Sequence, residues 1–333
     1  MIISKTPFRI SFFGGGTDYP AWLKENNGAV LATTIDKYCY ITLRTLPPFF
    51  EYKSRISYSA QELVNKVDEI NHPSVRECLK FMRVNQGIEI HHDGDLPART
   101  GLGSSSSFTV GLLHSLFALK GEIASQTELA KLAIHVEQNL IKENVGCQDQ
   151  ILAAFGGFNL VELKVGNDFR VSPIVMPAQR LNDFQSHLML IFTGFSRIAS
   201  EIARKLVKKT AKKKTELKTM HSFVYEAIKI LNGKSGLKDF GRLLHENWKL
   251  KRSLTDNITT PVIDDLYAAA MKAGALGGKV LGAGGGGFML IYAEPQAQPR
   301  IKKALKKFLH VPFNFEGSGS QIIFYKPDEN WKS

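Results

Sequence analysis

Alternating apolar and polar residues predict that the N-terminal part of the chain is rich in β-strands. Residues 2–13 and 29–46 both alternate and contain many β-branched residues, as half-buried strands do. The glycine-rich segment GGGTDYP lies between them and predicts a loop. The same criteria predict shorter strands at 88–90, 158–165, 187–194, 288–294 and 320–326.

Apolar residues spaced three or four positions apart predict helices between these strands. Ser125 and Glu128 form a capping box at the start of one helix, and Gly146 lies beyond its end. The predicted helical segments are 60–84 with a break near Pro73, 108–119, 126–145, 198–254, 261–278 and 299–309. Because strands and helices do not alternate regularly, the chain is predicted to be an α+β protein with two domains, residues 1–184 and 185–333.

The bulk composition fits a globular protein and narrows the class of its partners. The chain has 333 residues, 44% of them hydrophobic, and a formal net charge of +12. This charge permits nucleic acid, an anionic membrane surface or an anionic small substrate. The lysine-rich runs at 204–218 and 300–308 fit solvated helix faces, and no aromatic RNA-binding signature accompanies them.

The cysteines and the longest apolar runs predict a cytoplasmic location. Cys39, Cys78 and Cys147 are far apart and form no CxxC pattern, so neither a disulfide framework nor a zinc site is expected. No apolar run reaches the ~18 residues of a membrane span, and no secretory signal pattern is present at the N-terminus.

Three glycine-rich loops are the strongest chemical signal: GGGTD (14–18), GLGSSSS (101–107) and GAGGGG (282–287). The second loop lies between a predicted strand and a buried helix, so its backbone amides lie at a positive helix end that suits an anion. It lacks the lysine of a Walker A motif. The third loop contains G-x-G-x-x-G (Gly282, Gly284 and Gly287) but leads into a strand, which excludes a Rossmann dinucleotide site.

Two carboxylates near these loops are candidate functional groups. On a helical wheel of residues 128–143, Glu137 lies on the apolar face between Ala133 and Ile141. A carboxylate there needs a cation, a metal or hydrogen-bond donors, and an ordinary salt bridge is the simplest alternative. Asp149 follows this helix at a position where aspartate is typically an N-cap.

Taken together, these segments resemble the GHMP small-molecule kinases. The family's central motif, P-x3-G-L-G-S-S-[AS], matches PARTGLGSSSS, and its two other motifs match TPFRISFFGGGTD and KVLGAGGGGFMLIY in the same order. The resemblance spans nearly the whole chain. It implies an N-terminal ribosomal-S5-domain-2-like domain with a left-handed βαβ crossover, a ferredoxin-like C-terminal domain, and a site between them.

The resemblance also implies an ATP- and Mg²⁺-dependent site with assigned residues. Asp149 is implied as general base with Arg9 as the cation beside it, and Ser105 and Glu137 are implied to hold Mg²⁺. The residues implied to bind the ATP phosphates are Gly101, Leu102, Gly103, Ser104, Ser105 and Ser106. The residues implied to bind the substrate are Gly16, Thr17, Asp18, Gly284, Gly285 and Gly286.

Within the family, the motifs are most similar to those of the sugar 1-kinases. This similarity implies transfer of the ATP γ-phosphate to the anomeric hydroxyl of D-glycero-D-manno-heptose 7-phosphate. Arg197, between a predicted strand and a helix, is the candidate for binding the phosphate already on the sugar.

Several alternatives stay open at the level of the sequence. Another sugar 1-kinase would act on an unphosphorylated sugar such as L-fucose. A catalytically inactive relative that acts as a sensor is another alternative. The presence of Arg9, Ser105, Glu137 and Asp149 argues against it. A basic nucleic-acid or anionic-surface binder would leave the glycine loops unexplained, so the expected partners are ATP and a sugar phosphate, not nucleic acid or membrane. The oligomeric state is open, with a homodimer as one alternative.

Overall fold

The computed structural model describes residues 1–98, 100–166, 168–194, 213–233, 236–255 and 258–326, which fold around two β-sheets. Its strands are β1 (Ile2–Phe13), β2 (Gly28–Thr45), β3 (Ser54–Ser57), β4 (Gln61–Val64), β5 (Ile88–Gly94), β6 (Phe158–Leu163), β7 (Phe169–Pro173), β8 (Leu188–Gly194), β9 (Gly277–Val280), β10 (Gly287–Tyr292), β11 (Leu309–Val311), β12 (Phe315–Glu316) and β13 (Gln321–Tyr325).

Ten α-helices occur among the described residues. They are α1 (Pro20–Leu23), α2 (Pro73–Phe81), α3 (Ser104–Leu119), α4 (Gln126–His135), α5 (Gln148–Phe155), α6 (Ala178–Ser186), α7 (Lys214–Asn232), α8 (Lys238–Leu254), α9 (Pro261–Lys272) and α10 (Gln298–Ala304). A π-helical turn, Val136–Leu140, follows α4. Among the described residues, no helix combines the length and apolar character needed to cross a bilayer.

The first sheet is organised by the long antiparallel pair β1–β2. Nine strands belong to this sheet, with a main path β13-β1-β2-β5-β3-β4 and with β12, β6 and β7 joined to it through β2 and β6. Helices α3 and α5 pack on β1 and β2. The serine-rich loop at the start of α3 is therefore held beside β1.

The second sheet has four antiparallel strands in the order β11-β8-β10-β9. If β8, β9, β10 and β11 are numbered 1 to 4 along the chain, their order across the sheet is 4-1-3-2. Helices α7, α8 and α9 lie between its first and second strands, and α10 lies between its third and fourth. This is the ferredoxin-like arrangement, so the predicted architecture of the C-terminal half is confirmed.

The two sheets share one continuous hydrophobic core. The Phe12 ring on β1 lies 5.6 Å from those of Phe184 on α6 and Phe240 on α8, and Phe184 lies 6.1 Å from Tyr292 on β10. Edge-to-face contacts at these distances are favourable beyond the area that they bury. The core therefore fixes the orientation of the two halves and of the cleft between them.

Local structure differs from the pattern-based prediction in several places, and three of these concern predicted helices. Residues 61–64, predicted as helix, form β4, because pairing with β3 at the edge of the sheet overrides a weak helical pattern. The helix predicted over 299–309 ends at Ala304 and is followed by strand β11. The helix predicted to continue through 143 changes from α to π geometry after His135.

The C-terminal end of the chain returns to the first sheet. β12 pairs with β2, and β13 pairs with β1 through Ile2 and Tyr325. The predicted domain of residues 185–333 therefore does not describe this end, because β12 and β13 belong to the sheet of the N-terminal domain. For the other described residues the boundary at 184/185 stays a prediction.

Candidate active site

The three glycine-rich loops meet around one cavity of about 820 Å³ between the two halves. Its walls come from β1 and the loop after it, from the serine loop, from the segment between the π-turn and α5, and from α7, α8 and β9. The lining residues are Arg9, Ser11, Gly15, Gly16, Asp18, Tyr19, Ala98, Gly101, Gly103, Ser104, Ser105, Ser106, Glu137, Glu143, Asn144, Val145, Gly146, Gln148, Asp149, Met220, Lys251, Leu254, Ile258, Lys279, Gly282 and Ala283.

Arg9 and Asp149 form a bidentate ion pair at the centre of this cavity. Arg9 Nε and an Nη each donate to one Asp149 carboxylate oxygen at 2.7 Å. The Arg9 side chain is 4% exposed and that of Asp149 is 25% exposed. Each carboxylate oxygen has a second lone pair, so Asp149 can still accept a hydrogen bond from a molecule in the cavity.

Asp149 is not the N-cap that its position in the sequence suggested. The N-cap of α5 is Cys147, and Asp149 is the second residue of the helix. Its side chain is held by Arg9 across the cavity instead of by amides of its own helix. This places the carboxylate in the wall of the cavity and excludes the N-cap explanation for an aspartate there.

The serine loop contacts this pair directly. Gly103 caps α3 in a left-handed conformation, and a Cβ at this position would lie 3.2 Å from Arg9 Cγ and 3.5 Å from Asp149 Cγ. Arg9 also donates to the carbonyl of Gly101 at 2.7 Å, and its backbone amide donates to Leu102. The start of α3 is the positive end of its helix dipole, so an anion at this end would lie beside Arg9 and Asp149.

Glu137 is fully buried, as the apolar helical face predicted, but has no cation partner among the described residues. Its Oε2 accepts hydrogen bonds from Ser106 at 2.9 Å and from Gln150, whereas Oε1 has no hydrogen-bond partner there. Burial raises the pKa of Glu137 to about 8. Among the described residues, the alternative of an ordinary salt bridge is therefore not supported, and one buried carboxylate oxygen of Glu137 is left without a hydrogen-bond partner.

The pKa of Glu137 predicts how pH affects stability. With a pKa near 8 in the folded protein and 4.5 in the unfolded chain, the folded state holds a proton that the unfolded state releases. The free energy of unfolding should therefore fall as pH rises from about 4.5 to about 8. Glu137→Gln removes this contribution, so the stability of the variant relative to the wild type should increase with pH.

Urea unfolding at pH 5 and pH 8.5, with EDTA present, measures this difference. Glu128→Gln, an exposed substitution on the same helix, is the matched control and should show no such trend. An equal loss of stability by Glu137→Gln at both pH values would instead indicate a structural ion pair.

Asp18 also lines the cavity. Its carboxylate accepts hydrogen bonds from the Gly16 amide and from Gln148 Nε2, both at 2.9 Å. Burial, and to a lesser extent the charge of Asp149, raises the pKa of Asp18. Gly16 and Asp18 line the cavity as predicted for substrate-binding residues.

Thr17, the third residue predicted from this loop, does not line the cavity. It is fully buried, and its hydroxyl donates to the carbonyls of Gly14 and Ala29. Its predicted contact with substrate is therefore not supported. Its hydrogen bonds hold the loop on β2, and this positions Asp18 indirectly.

The third glycine loop reaches the cavity through Gly282 and Ala283, not through the predicted Gly284, Gly285 and Gly286. Gly282 has a φ of +67°, and a Cβ on it would lie 2.5 Å from the Cα of Gly101. This loop therefore packs directly on the serine loop. Gly284 and Gly285 approach the backbone of Ile258 instead.

Two lysines of the C-terminal half line the cavity and were not predicted. Lys251 on α8 donates to the carbonyls of Val280 and Gly282 at 2.8 and 2.6 Å. Lys279 on β9 is 3% exposed and donates to the carbonyls of Ser11 and Phe12. A signal existed for Lys251, because helical spacing from Leu244 and Trp248 places it on the buried face of α8.

The structure also places the remaining residues that were predicted to belong to the site. Ser104 and Ser105 line the cavity, and Leu102 is buried beneath it. The serine hydroxyl that contacts Glu137 is that of Ser106, so the role predicted for Ser105 stays a prediction. Arg197 lies outside the described residues.

Comparison with known protein families gives two matches. Residues 71–157 match the model of the GHMP kinases N-terminal domain, and residues 224–311 match that of the GHMP kinases C-terminal domain. The two matches together cover about half of the chain and include the serine loop, Glu137, Asp149, both lysines and the third glycine loop.

Individual relatives are similar over most of the chain. A D-glycero-alpha-D-manno-heptose 7-phosphate kinase of Campylobacter jejuni is 29% identical over 92% of this chain and 93% of its own. A bifunctional fucokinase/GDP-fucose pyrophosphorylase of Arabidopsis thaliana is 26% identical over 86% of this chain but only 29% of its own length. The crystal structure of a D-glycero-D-manno-heptose 1-phosphate kinase from Bacteroides thetaiotaomicron has a TM-score of 0.72 at 24% identity, covering 98% of this chain and 100% of that one.

Proposed function

The chain belongs to the GHMP kinases and is an ATP-dependent phosphotransferase, and on that premise we propose that it transfers the ATP γ-phosphate to the anomeric hydroxyl of D-glycero-D-manno-heptose 7-phosphate. The product is the 1,7-bisphosphate. The observation that carries the proposal is the Arg9–Asp149 pair, which lies directly beside the serine loop at the centre of the cavity.

The choice of acceptor is supported by similarity and by charge. The Campylobacter jejuni relative, which is similar over 93% of its own length, is named as a heptose 7-phosphate kinase. The Arabidopsis thaliana fucokinase matches over only 29% of its length. The cavity is also lined by three basic side chains, Arg9, Lys251 and Lys279, which is compatible with an anionic acceptor. L-Fucose is the second candidate acceptor, because the match to the fucokinase covers 86% of this chain.

The proposed proton transfer uses Asp149. The anomeric hydroxyl donates a hydrogen bond to an oxygen of the Asp149 carboxylate. It loses its proton to Asp149 as the new O–P bond forms, while the bond from the γ-phosphorus to the bridging oxygen breaks and ADP leaves. A positioned base of this kind contributes roughly 10²- to 10⁴-fold to a rate. Arg9, which holds both oxygens of Asp149, also presents positive charge toward the phosphoryl group in transfer.

The proposed nucleotide site is the N-terminus of α3. The backbone amides of Ser104, Ser105 and Ser106 bind the ATP phosphates, and the positive end of the α3 dipole favours their charge. The contact between Gly101 and Gly282 closes the loop against the C-terminal half. Asp18, with Gly16 and Gln148, orients the sugar on the opposite side of Asp149.

The proposed cofactor is Mg²⁺, and the residues present fit it. Glu137 has an unpartnered buried oxygen, and the hydroxyls of Ser105 and Ser106 lie at the same end of α3. Among the described residues there is no cluster of three or more metal-ligating side chains. This agrees with Mg²⁺, which takes one or two carboxylates and completes its shell with phosphate oxygens and water. When bound, the ion neutralises charge on the phosphate oxygens.

A panel of acceptors tests the proposed function. ATP consumption is measured with heptose 7-phosphate, free D-glycero-D-manno-heptose, L-fucose, galactose and mevalonate. We expect kcat/KM to be at least 100-fold higher for heptose 7-phosphate than for each of the others, and phosphorus NMR of the product to show a new anomeric phosphate beside the original ester. Turnover of L-fucose as efficient as that of heptose 7-phosphate would reject this acceptor and leave the kinase assignment standing.

A further inference from the structure

The first three residues of α5 each bind a different charged group in the wall of the cavity. These residues, which we call the 148–150 triplet, are Gln148, Asp149 and Gln150. Gln148 Nε2 donates to the Asp18 carboxylate at 2.9 Å, and Gln150 Nε2 donates to the Glu137 carboxylate. Between them, Asp149 accepts two hydrogen bonds of 2.7 Å from Arg9. One turn of helix therefore connects the three carboxylates to which the proposed function gives roles.

The geometry of the helix explains why the triplet reaches three separate places. Successive residues of an α-helix are rotated by about 100° around its axis, so Gln148 and Gln150 project to nearly opposite sides with Asp149 between them. The start of α5 consequently sets how far the carboxyl groups of Asp18 and Glu137 lie from that of Asp149. A movement of this helix would displace all three contacts together.

Stability alone does not explain glutamine at these two positions. Among the described residues, each glutamine side chain forms one hydrogen bond, and that bond goes to a carboxylate of the cavity. The amide oxygens of Gln148 and Gln150 are buried and have no partner there. A buried polar atom without a partner is unfavourable for folding, and Gln150 is 0% exposed, so an apolar residue would pack at lower cost.

The type of donor also matters for the charge of the carboxylates. Asp149 is paired with Arg9, whereas no ion pair of Asp18 or Glu137 occurs among the described residues. The side-chain and backbone donors to these two carboxylates are the Gly16 amide, Gln148, Ser106 and Gln150. All of these donors are neutral. An ionised carboxylate that is oriented by neutral donors keeps its full charge for a cation or a hydroxyl group in the cavity.

The backbone before the triplet fixes the main chain of Asp18 independently. The Cys147 amide donates to the Asp18 carbonyl at 3.1 Å. A Cβ on Gly146 would lie 1.9 Å from Asp18 Oδ2, so the carboxylate packs directly on a position where only glycine fits. The bond from Gln148 therefore adds orientation of the carboxylate to a loop whose backbone is already held on α5.

We propose that the two glutamines are positioning residues with separate roles. Gln148 orients Asp18 toward the acceptor sugar, and Gln150 orients Glu137 toward the metal ion. The start of α5 thereby holds the sugar-binding carboxylate, the base and the metal-binding carboxylate at fixed separations. This inference rests on the proposed function, because it takes the roles of Asp18, Asp149 and Glu137 from it.

The test compares Gln148→Met and Gln150→Met with the control Gln126→Met. Methionine has nearly the length and volume of glutamine but lacks its N–H donors. Gln126 is also in the first turn of a helix, α4, but it is exposed and bonds to the backbone carbonyl of Phe155 at the other end of α5. Two quantities are measured for each variant. One is the KM for whichever acceptor the wild type turns over best, and the other is the affinity for Mn²⁺ in the presence of a non-hydrolysable ATP analogue, measured by electron paramagnetic resonance without turnover.

The two glutamine variants are expected to show a crossed pattern. Gln148→Met should raise the KM for the acceptor roughly tenfold, the effect of losing one hydrogen bond to a charged group. Gln150→Met should weaken Mn²⁺ binding about 10- to 100-fold, the range for removing the partner of a metal ligand. The other quantity should stay within about threefold of wild type in each case, as expected for separate sites. Gln126→Met should leave both quantities unchanged.

The crossed pattern separates positioning from a general effect on the fold. A loss of packing or a displacement of α5 would change the acceptor KM and the Mn²⁺ affinity together, and this result in either variant would overturn the proposal. A wild-type acceptor KM in Gln148→Met, or wild-type Mn²⁺ affinity in a folded Gln150→Met, would also overturn it. Because Gln150 is buried, Gln150→Asn is a second variant: its amide is one methylene group too short to reach Glu137, it adds no bulk, and it should weaken Mn²⁺ binding as well.

Failure of the proposed function gives a different result. A wild-type enzyme whose best acceptor is not heptose 7-phosphate would reject that acceptor. The comparison of Gln148→Met and Gln150→Met would still be decisive, because every variant is measured against the wild type with the same acceptor.

Discussion

Asp149→Asn is expected to reduce kcat by roughly 10²- to 10⁴-fold, the range for removing a positioned base. Asparagine keeps the shape of the side chain and the contact of one oxygen with Arg9, but an amide cannot take the proton of the acceptor hydroxyl. ATP binding should stay within a few-fold of wild type, because the serine loop binds the phosphates through backbone amides.

The change also weakens the partner of a buried guanidinium, so some loss of stability is expected. Arg9 is 4% exposed and would face an amide nitrogen in place of one carboxylate oxygen. Activity is therefore expressed per folded, ATP-binding molecule, with ATP affinity measured by calorimetry. Asp239→Asn, which changes an exposed aspartate paired with Arg242, is the control for removing an Asp–Arg pair elsewhere.

A turnover within a few-fold of wild type would show that Asp149 is not the base. The Arg9–Asp149 pair would then have a structural role. The proposed transfer would need another acceptor for the proton, and Asp18 is the other carboxylate on the acceptor side of the cavity.

Glu137→Gln is expected to raise the Mg²⁺ concentration for half-maximal rate at least tenfold and to lower kcat at saturating Mg²⁺. Glutamine has the same shape but no charge, and the hydrogen bonds from Ser106 and Gln150 can be kept. A neutral ligand holds a small, strongly hydrated cation far less well than a carboxylate does. The rate is measured at several Mg²⁺ concentrations with saturating ATP and heptose 7-phosphate.

Glu128→Gln is again the control and should titrate as the wild type does. If the Mg²⁺ titration of Glu137→Gln is unchanged, Glu137 does not hold the metal. The pH-dependent change in stability predicted for this variant is measured without metal, so the two results separate a buried, protonated carboxyl group from a metal ligand.

Much of the site could be predicted because its signals are local. A carboxylate among apolar residues at helical spacing indicated that Glu137 is buried, and the structure confirms this. A glycine loop between a strand and a buried helix indicated an anion site at the start of α3. Both predictions depend on periodicity or on backbone conformation within about one turn, which neighbouring residues determine.

Other features were missed because they depend on contacts between distant parts of the chain. β4 was predicted as helix, since its pairing with β3 is not encoded in its own periodicity. The partner of Asp149 is 140 positions away, so helical position alone suggested a cap; only the family resemblance implied Arg9 beside it, and the structure confirms that pairing. Lys251 and Lys279 belong to a lysine-rich chain in which most lysines are solvated, and nothing local relates them to Arg9 or Asp18.

The sequence by itself determined the order of most strands and helices, the positions of the three glycine-rich loops that meet at the cavity, and the burial of one carboxylate. Only the tertiary structure decided that Ser106 contacts Glu137 and that the last two strands return to the first sheet. The physical reason is that hydrophobic burial is non-directional, so a pattern specifies which side faces the core but not which distant residue it meets there. The cavity exists because one shared core fixes two halves whose functional side chains are unrelated in sequence.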